Sequence, residues 1–144
     1  MSASTKLSTS VKALCYLASN HPEPQNSSVL AENIGANASK LRKLLSMMVK
    51  GGIVVSTQGT TGGFLLKKNP NQIHLQEIYC AIEDRKAFHL DVNRVNGNKN
   101  NLNQKFNDYF IDLFADVQVD IENKMRKITI KSIMNKLNIK PTFK

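Results

Sequence analysis

Six cations, Lys40, Arg42, Lys43, Lys50, Lys67 and Lys68, crowd the stretch from 26 to 68, where Glu32 is the only acidic residue. Ammonium and guanidinium groups donate charge-assisted hydrogen bonds to phosphate oxygens, and they also read the acceptor edge of guanine. Interleaved with them, Ser39, Thr57, Gln58, Thr60 and Thr61 offer hydroxyl or amide donors, and Ala38 suits contact with a thymine methyl. Gly59 and Gly62 allow close backbone approach. This is the chemistry of polyanion recognition. Bond-making chemistry has no comparable support: Gly59-x-x-Gly62-Gly63 lacks the Lys-Ser/Thr of a phosphate loop, and no zinc-protease motif or nucleophile elbow occurs. His21, His74 and His89 show no ligand spacing. We therefore expect no catalytic residue, no metal ligand and no enzyme.

The elements that must position these residues can be read from caps, breakers and periodicity. Val11, Leu14, Cys15 and Ala18 form one apolar stripe, predicting a helix over 8–19 capped by Ser8 or Thr9. Pro22 and Pro24 break it. Asn26, Ser27 and Ser28 are cap candidates for a short helix to Ile34, which Gly35 ends by entering left-handed geometry. Asn37 or Ser39 caps a third helix through about Lys50, with Leu41, Leu44, Leu45 and Met48 inward and the cations outside that stripe. Gly51-Gly52 stops it. Ile53-Val54-Val55 and Phe64-Leu65-Leu66 read as two strands joined through Gly59, Gly62 and Gly63. A further helix runs from Leu75 to Glu83, with Ile78, Ala81 and Ile82 inward. The expected fold is mainly α with a small β-hairpin wing: a winged helix-turn-helix followed by a long C-terminal dimerisation helix.

Three segments are expected: a DNA-binding domain over 1–84, a polar Asn-rich loop over 85–103, and a long dimerisation helix with a C-terminal tail over 104–144. In the last, Phe106, Phe110, Leu113, Val117, Ile121, Met125 and Ile128 step by threes and fours, as in a coiled-coil seam. A helix to Leu137 that exposes such a seam calls for a partner, and a second copy is preferred over packing on its own domain.

The 144 residues carry a formal net charge of +9. Residues 1–85 hold nine Lys/Arg against five Asp/Glu, and 86–144 hold eleven against six, so the excess is not confined to a basic tail. No apolar run approaches the ~18 to 20 residues that span a bilayer, and the N-terminal residues lack the apolar stretch of a signal peptide. A cytoplasmic location without membrane contact is expected. Cys15 and Cys80 are the only cysteines and form no Cys-x-x-Cys pair. Packing is the default for both; either becomes a redox switch if exposed beside a cation.

With these elements in place, residues 7–83 resemble the Rrf-two family of bacterial winged helix-turn-helix regulators, the IscR, NsrR and CymR group. Ala13-Leu14, Leu17-Ala18, Leu30-Ala31-Glu32, Gly35, Leu41, Leu44 and Leu45 match its helices. Ser56, Gly59 and Gly62-Gly63-Phe64 match its wing signature, and Ile73, Leu75, Ile78, Ala81 and Glu83 match the following helix. The resemblance implies a homodimer, clasped by the long helices, that acts on promoters in double-stranded DNA. Three positions depart from the family pattern. The segment 85–103 lacks the three cysteines of the iron–sulfur members, so no cluster cofactor is expected and the effector, small molecule or redox, is undefined. Arg42-Lys43 replaces a frequent Glu-Gln, which shifts base preference. Gln58 replaces a wing Arg that suits a narrow minor groove. The expected function is a sequence-specific regulator, by preference a repressor, on a roughly palindromic operator. A protein–protein scaffold with sequence-blind DNA affinity is the alternative, and an RNA-binding winged helix is disfavoured by the lack of aromatics on the third helix.

Overall fold

The computed structural model describes residues 2–83 and 101–143. They fall into two compact units, one containing 2–83 with 125–143 and the other containing 101–124. Helix α1 (Ala3–Asn20) begins earlier than expected because Ser2, rather than Ser8 or Thr9, is its cap: the Ser2 hydroxyl accepts from the Thr5 amide at 3.2 Å. Helix α2 (Ser27–Ile34) starts at Asn26, whose side chain accepts from the Val29 amide at 2.8 Å. It ends at Gly35, where φ of +69° turns the chain and lets the Ala36 amide reach the Ala31 carbonyl at 2.8 Å. Helix α3 (Ala38–Lys50) is capped by Asn37 through the Lys40 amide at 3.0 Å, and Ser39 lies inside the helix. Its expected stripe, Leu41, Leu44, Leu45 and Met48, is buried.

Strands β1 (Val54–Ser56) and β2 (Phe64–Leu66) pair antiparallel, with Val54 opposite Leu66 and Ser56 opposite Phe64. A 3-10 turn over Pro70–Gln72 leads into α4 (Leu75–Ile82). His74 caps that helix: its Nδ1 accepts from the Glu77 amide, and its own amide donates to the Glu77 carboxylate. A structural role thus accounts for the histidine nearest the wing.

The C-terminal region departs from expectation. The helix predicted from 104 to 137 divides into α5 (Leu102–Arg126) and α6 (Ile130–Lys136). Thr129 and Ser132 form a capping box that restarts the helix, and the β-branched run Ile128-Thr129-Ile130 favours extended backbone between the two. That extended stretch pairs with the approach to α4: the Leu75 amide donates to the Ile128 carbonyl at 2.9 Å and the Ile130 amide to the Ile73 carbonyl at 2.8 Å. Ile130 and Met134 are completely buried in the same core as Leu14, Leu17, Leu41 and Ile78. The end of the presumed dimerisation segment therefore belongs to the winged-helix unit, and Ile128 lies in the extended link between α5 and α6, not at the last position of a helical seam. Most of the expected Asn-rich loop, 85–100, lies outside the described residues.

One contact ties the wing to the helix-turn-helix. Gln25, immediately before the α2 cap, exchanges both backbone hydrogen bonds with Phe64, at 3.1 and 2.9 Å. Beside it, a Cβ on Gly63 would stand 2.5 Å from the Gln25 carbonyl carbon and 2.6 Å from its oxygen. Backbone, unlike the tip of a flexible side chain, has no rotamer by which to yield. We expect Gly63→Ala to lower unfolding stability by about 1–3 kcal/mol, the usual cost of overpacking, measured as a shift in urea midpoint. An unchanged midpoint would mean that this junction relaxes freely.

Candidate nucleic-acid interface

Helix α3 divides its residues cleanly. While its leucine stripe is buried, Ser39, Lys40, Arg42, Lys43, Ser46 and Lys50 are exposed, and Ala38 is half-buried at its start. Gly35, Ala36 and Asn37 form the tight turn that presents the first turn of α3. Arg42 is oriented by the neighbouring helix, since its Nε donates to Ser27 Oγ at 3.2 Å. Its remaining guanidinium donors stay on the exposed side chain.

The wing sorts its predicted contact residues into two groups. Gln58, Gly59, Thr60 and Thr61 are exposed at its tip, where Gly59 adopts φ of +102° and accepts from the Gly62 amide at 3.1 Å. Thr57 is different. Its hydroxyl accepts from the Gly63 amide at 2.9 Å and lies 3.2 Å from the Gly63 carbonyl, so it closes the hairpin instead of facing a ligand. Gly62 is half-buried, and a Cβ there would stand 2.5 Å from the Thr57 carbonyl oxygen. The sequence offered Thr57 as a backbone donor; the hairpin uses it internally.

The two lysines after the wing also part ways. Lys67 is exposed. The Lys68 ammonium sits 2.6 Å from Glu77 Oε2, the carboxylate that helps cap α4. Lys68 therefore carries a locally balanced charge, unlike Lys67. Lys40, Arg42, Lys43, Lys50 and Lys67 enter no ion pair among the described residues; Lys6 and Lys68 do.

Sequence reasoning passed over α1 as a source of contacts. A hollow of about 230 Å³ opens between α1 and the start of α3, lined by Thr5, Thr9, Lys12, Asn37 and Lys40 together with the turn at Gly35. The signal was present in the spacing: positions 5, 9 and 12 recur at helical period on the side of α1 away from Leu14 and Leu17.

Comparison with known proteins gives a consistent result. The family model Rrf2, described as an iron-dependent transcriptional regulator, matches residues 3–136. YwnA of Bacillus subtilis, which carries the name of an HTH-type transcriptional regulator, is 26% identical over 115 residues, covering 80% of this chain and 85% of that protein. The HTH-type transcriptional regulator IscR of Pectobacterium atrosepticum is 34% identical over 68 residues, 47% of this chain but only 39% of the relative. Among solved structures, IscR of T. potens superposes with a TM-score of 0.69 at 23% identity, covering 95% of this chain and 88% of its own. CymR, the global cysteine regulator of B. subtilis, does so with a TM-score of 0.67 at 19% identity, covering 94% and 97%. These two likenesses establish the winged-helix fold.

The iron in that family description makes the thiols worth locating. Cys15 is buried on the inner side of α1, where loss of solvent pushes its thiol up to about 11. Cys80 is exposed on α4 and accepts from Gln76 Nε2 at 3.3 Å. Two cysteines on different helices, one of them a core residue, do not fit a cluster held by three neighbouring thiolates. Since the thiolate is the nucleophile, iodoacetamide at pH 8 should alkylate Cys80 in the folded protein and Cys15 only after denaturation, as read by peptide mass spectrometry. Rapid native labelling of Cys15 would contradict its placement in the core.

Proposed function

The chain belongs to the Rrf2 family of transcriptional regulators, and on that premise we propose that it is a sequence-specific repressor binding a roughly palindromic operator as a homodimer. The division of α3 is the observation that carries this reading: an apolar stripe locked in the core aims Ser39, Lys40, Arg42 and Lys43 outward from behind a tight turn. In a helix-turn-helix, the start of the second helix meets base edges in the major groove. Ala38, Ser39, Lys40 and Lys43 are assigned to bases there. Arg42, tethered to Ser27, suits phosphate. Gln58, Thr60 and Thr61 at the wing tip, with Gly59 and Gly62 shaping the hairpin, suit the flanking sugar-phosphate, and Lys67 adds a cation behind them.

The homodimer reading draws on α5. Phe106, Tyr109, Phe110 and Leu113 are exposed along it, and Phe110 stacks between Phe106 and Phe114 at centroid distances of 6.4 and 5.5 Å. An exposed aromatic row of this length costs hydration free energy unless covered. Val117, Ile121 and Met125 continue the row toward the C-terminal end of α5. Two copies would place two α3 helices on half-sites one or two helical turns apart. The thiol placement favours regulation without a three-cysteine iron–sulfur cluster. No helix among the described residues is long and apolar enough to cross a membrane, and a cytoplasmic location suits access to promoter DNA.

Fluorescence anisotropy on the gene's own upstream duplex and a scrambled duplex, across a salt series, tests the main reading. A preference of about a thousandfold with steep salt dependence is expected. Equal affinity for both duplexes would instead support a scaffold that meets an acidic protein surface. Lys43→Ala should alter the sequence preference, whereas Lys67→Ala should weaken all duplexes alike. A Lys43→Ala protein with an unaltered selected-sequence profile would remove Lys43 from base reading.

The dimer requires a separate test. Truncation after residue 84 would also delete Ile130 and Met134 from the core, so it would confuse unfolding with dissociation. The double substitution Phe106→Glu, Phe110→Glu leaves that core intact and should sediment as a monomer. A persistent dimer would place the clasp elsewhere.

A further inference from the structure

The hollow between α1 and the start of α3 contains donors and no acid. Lys12 and Lys40 are exposed on facing helices and enter no ion pair among the described residues. Thr9 contributes a hydroxyl. Asn37 uses its side-chain oxygen to cap α3, accepting from the Lys40 amide, which leaves its Nδ2 hydrogens as donors on an exposed side chain. Because α3 begins here, the positive end of its dipole adds to the two ammonium groups. About 230 Å³ is room for one tetrahedral anion and its substituents.

The hollow is continuous with the proposed base-reading surface, since Lys40 belongs to both and Asn37 immediately precedes Ala38. A duplex lying against Ser39, Lys40 and Lys43 would bring one of its own phosphates alongside. We propose that Lys12, with Thr9 and Asn37, forms a clamp for a backbone phosphodiester of the bound duplex, so that α1 is a third DNA-contacting element beside α3 and the wing. The clamp rests on the DNA-binding reading and extends it to residues outside the helix-turn-helix proper. Its role is to fix the register of α3 in the groove. Phosphate contacts position a protein without reading sequence, so the clamp raises affinity for every duplex alike.

Lys12→Ala is a clean variant because Lys12 is exposed and alanine is the best helix former. Binding is measured by anisotropy on the upstream and scrambled duplexes between low and moderate salt, with parent, Lys12→Ala, Lys12→Arg and Thr9→Val compared at equal thermal stability. Lys12→Ala should weaken both duplexes by a similar factor, about three- to tenfold, and reduce the number of released counterions by about one. Lys12→Arg should restore the parent salt slope, and Thr9→Val should weaken binding without changing that slope. Parent-like affinity and slope in Lys12→Ala would overturn the clamp while leaving the DNA reading intact. A loss confined to the upstream duplex would also overturn it, since it would mark Lys12 as a base reader. Failure of the parent to bind either duplex would overturn both readings at once.

Discussion

The proposed DNA-binding face depends on a backbone-to-backbone junction. Gln25 and Phe64 exchange two hydrogen bonds, and Gly63 lies too close to Gln25 for any side chain. Gln25 is followed by Asn26, the α2 cap, so the root of the wing and the start of the helix-turn-helix are fixed by one short segment. Thr57 then closes the hairpin onto Gly63 from the other side, and Arg42 ties α3 to the first residue of α2. Each link acts on its neighbour. Without the junction, helix and wing would be two mobile elements, and each would pay ordering entropy on meeting a ligand.

Charge is distributed on the same logic. Two lysines are consumed in holding the structure: Lys68 on the carboxylate that caps α4, and Lys6 on Glu83 at 2.7 Å. The cations of α3 are left outside such pairs among the described residues, on a helix whose other side is sealed in the core. A surface of this kind repels itself modestly and attracts a polyanion strongly, which favours fast, salt-sensitive encounter. Sequence counting gives both sets of lysines the same weight. Only their partners separate a structural lysine from one available to a ligand.

The fold and the family agree closely, while the two thiols do not supply the three neighbouring thiolates that a cluster of that pattern needs. A winged helix transmits no signal of its own. It offers a rigid binding face, and sensing is added elsewhere by whatever ligands the chain supplies. Cys15 serves the core, and Cys80 stands on α4 away from any second thiol on the same helix. Shared architecture therefore predicts shared DNA-binding geometry more securely than a shared signal.

Local codes made most of the winged helix legible from the sequence. Asn26, Gly35, Asn37 and the leucine stripe of α3 act within a few residues of themselves, so their types and spacing suffice to place α2, the turn, α3 and its outward cations. The wing strands follow from β-branched and aromatic runs between glycines. What tertiary structure decided were the competitions. Ser2 prevailed over Ser8 and Thr9 as the α1 cap, the hairpin took the Thr57 hydroxyl, and Glu77 took Lys68. A periodic apolar seam was cut at Arg126 because Ile130 and Met134 gained more by filling the core beside Leu14 and Ile78 than by prolonging a helix. Periodicity records which residues are apolar, but the choice between burial partners depends on distances that the fold alone creates.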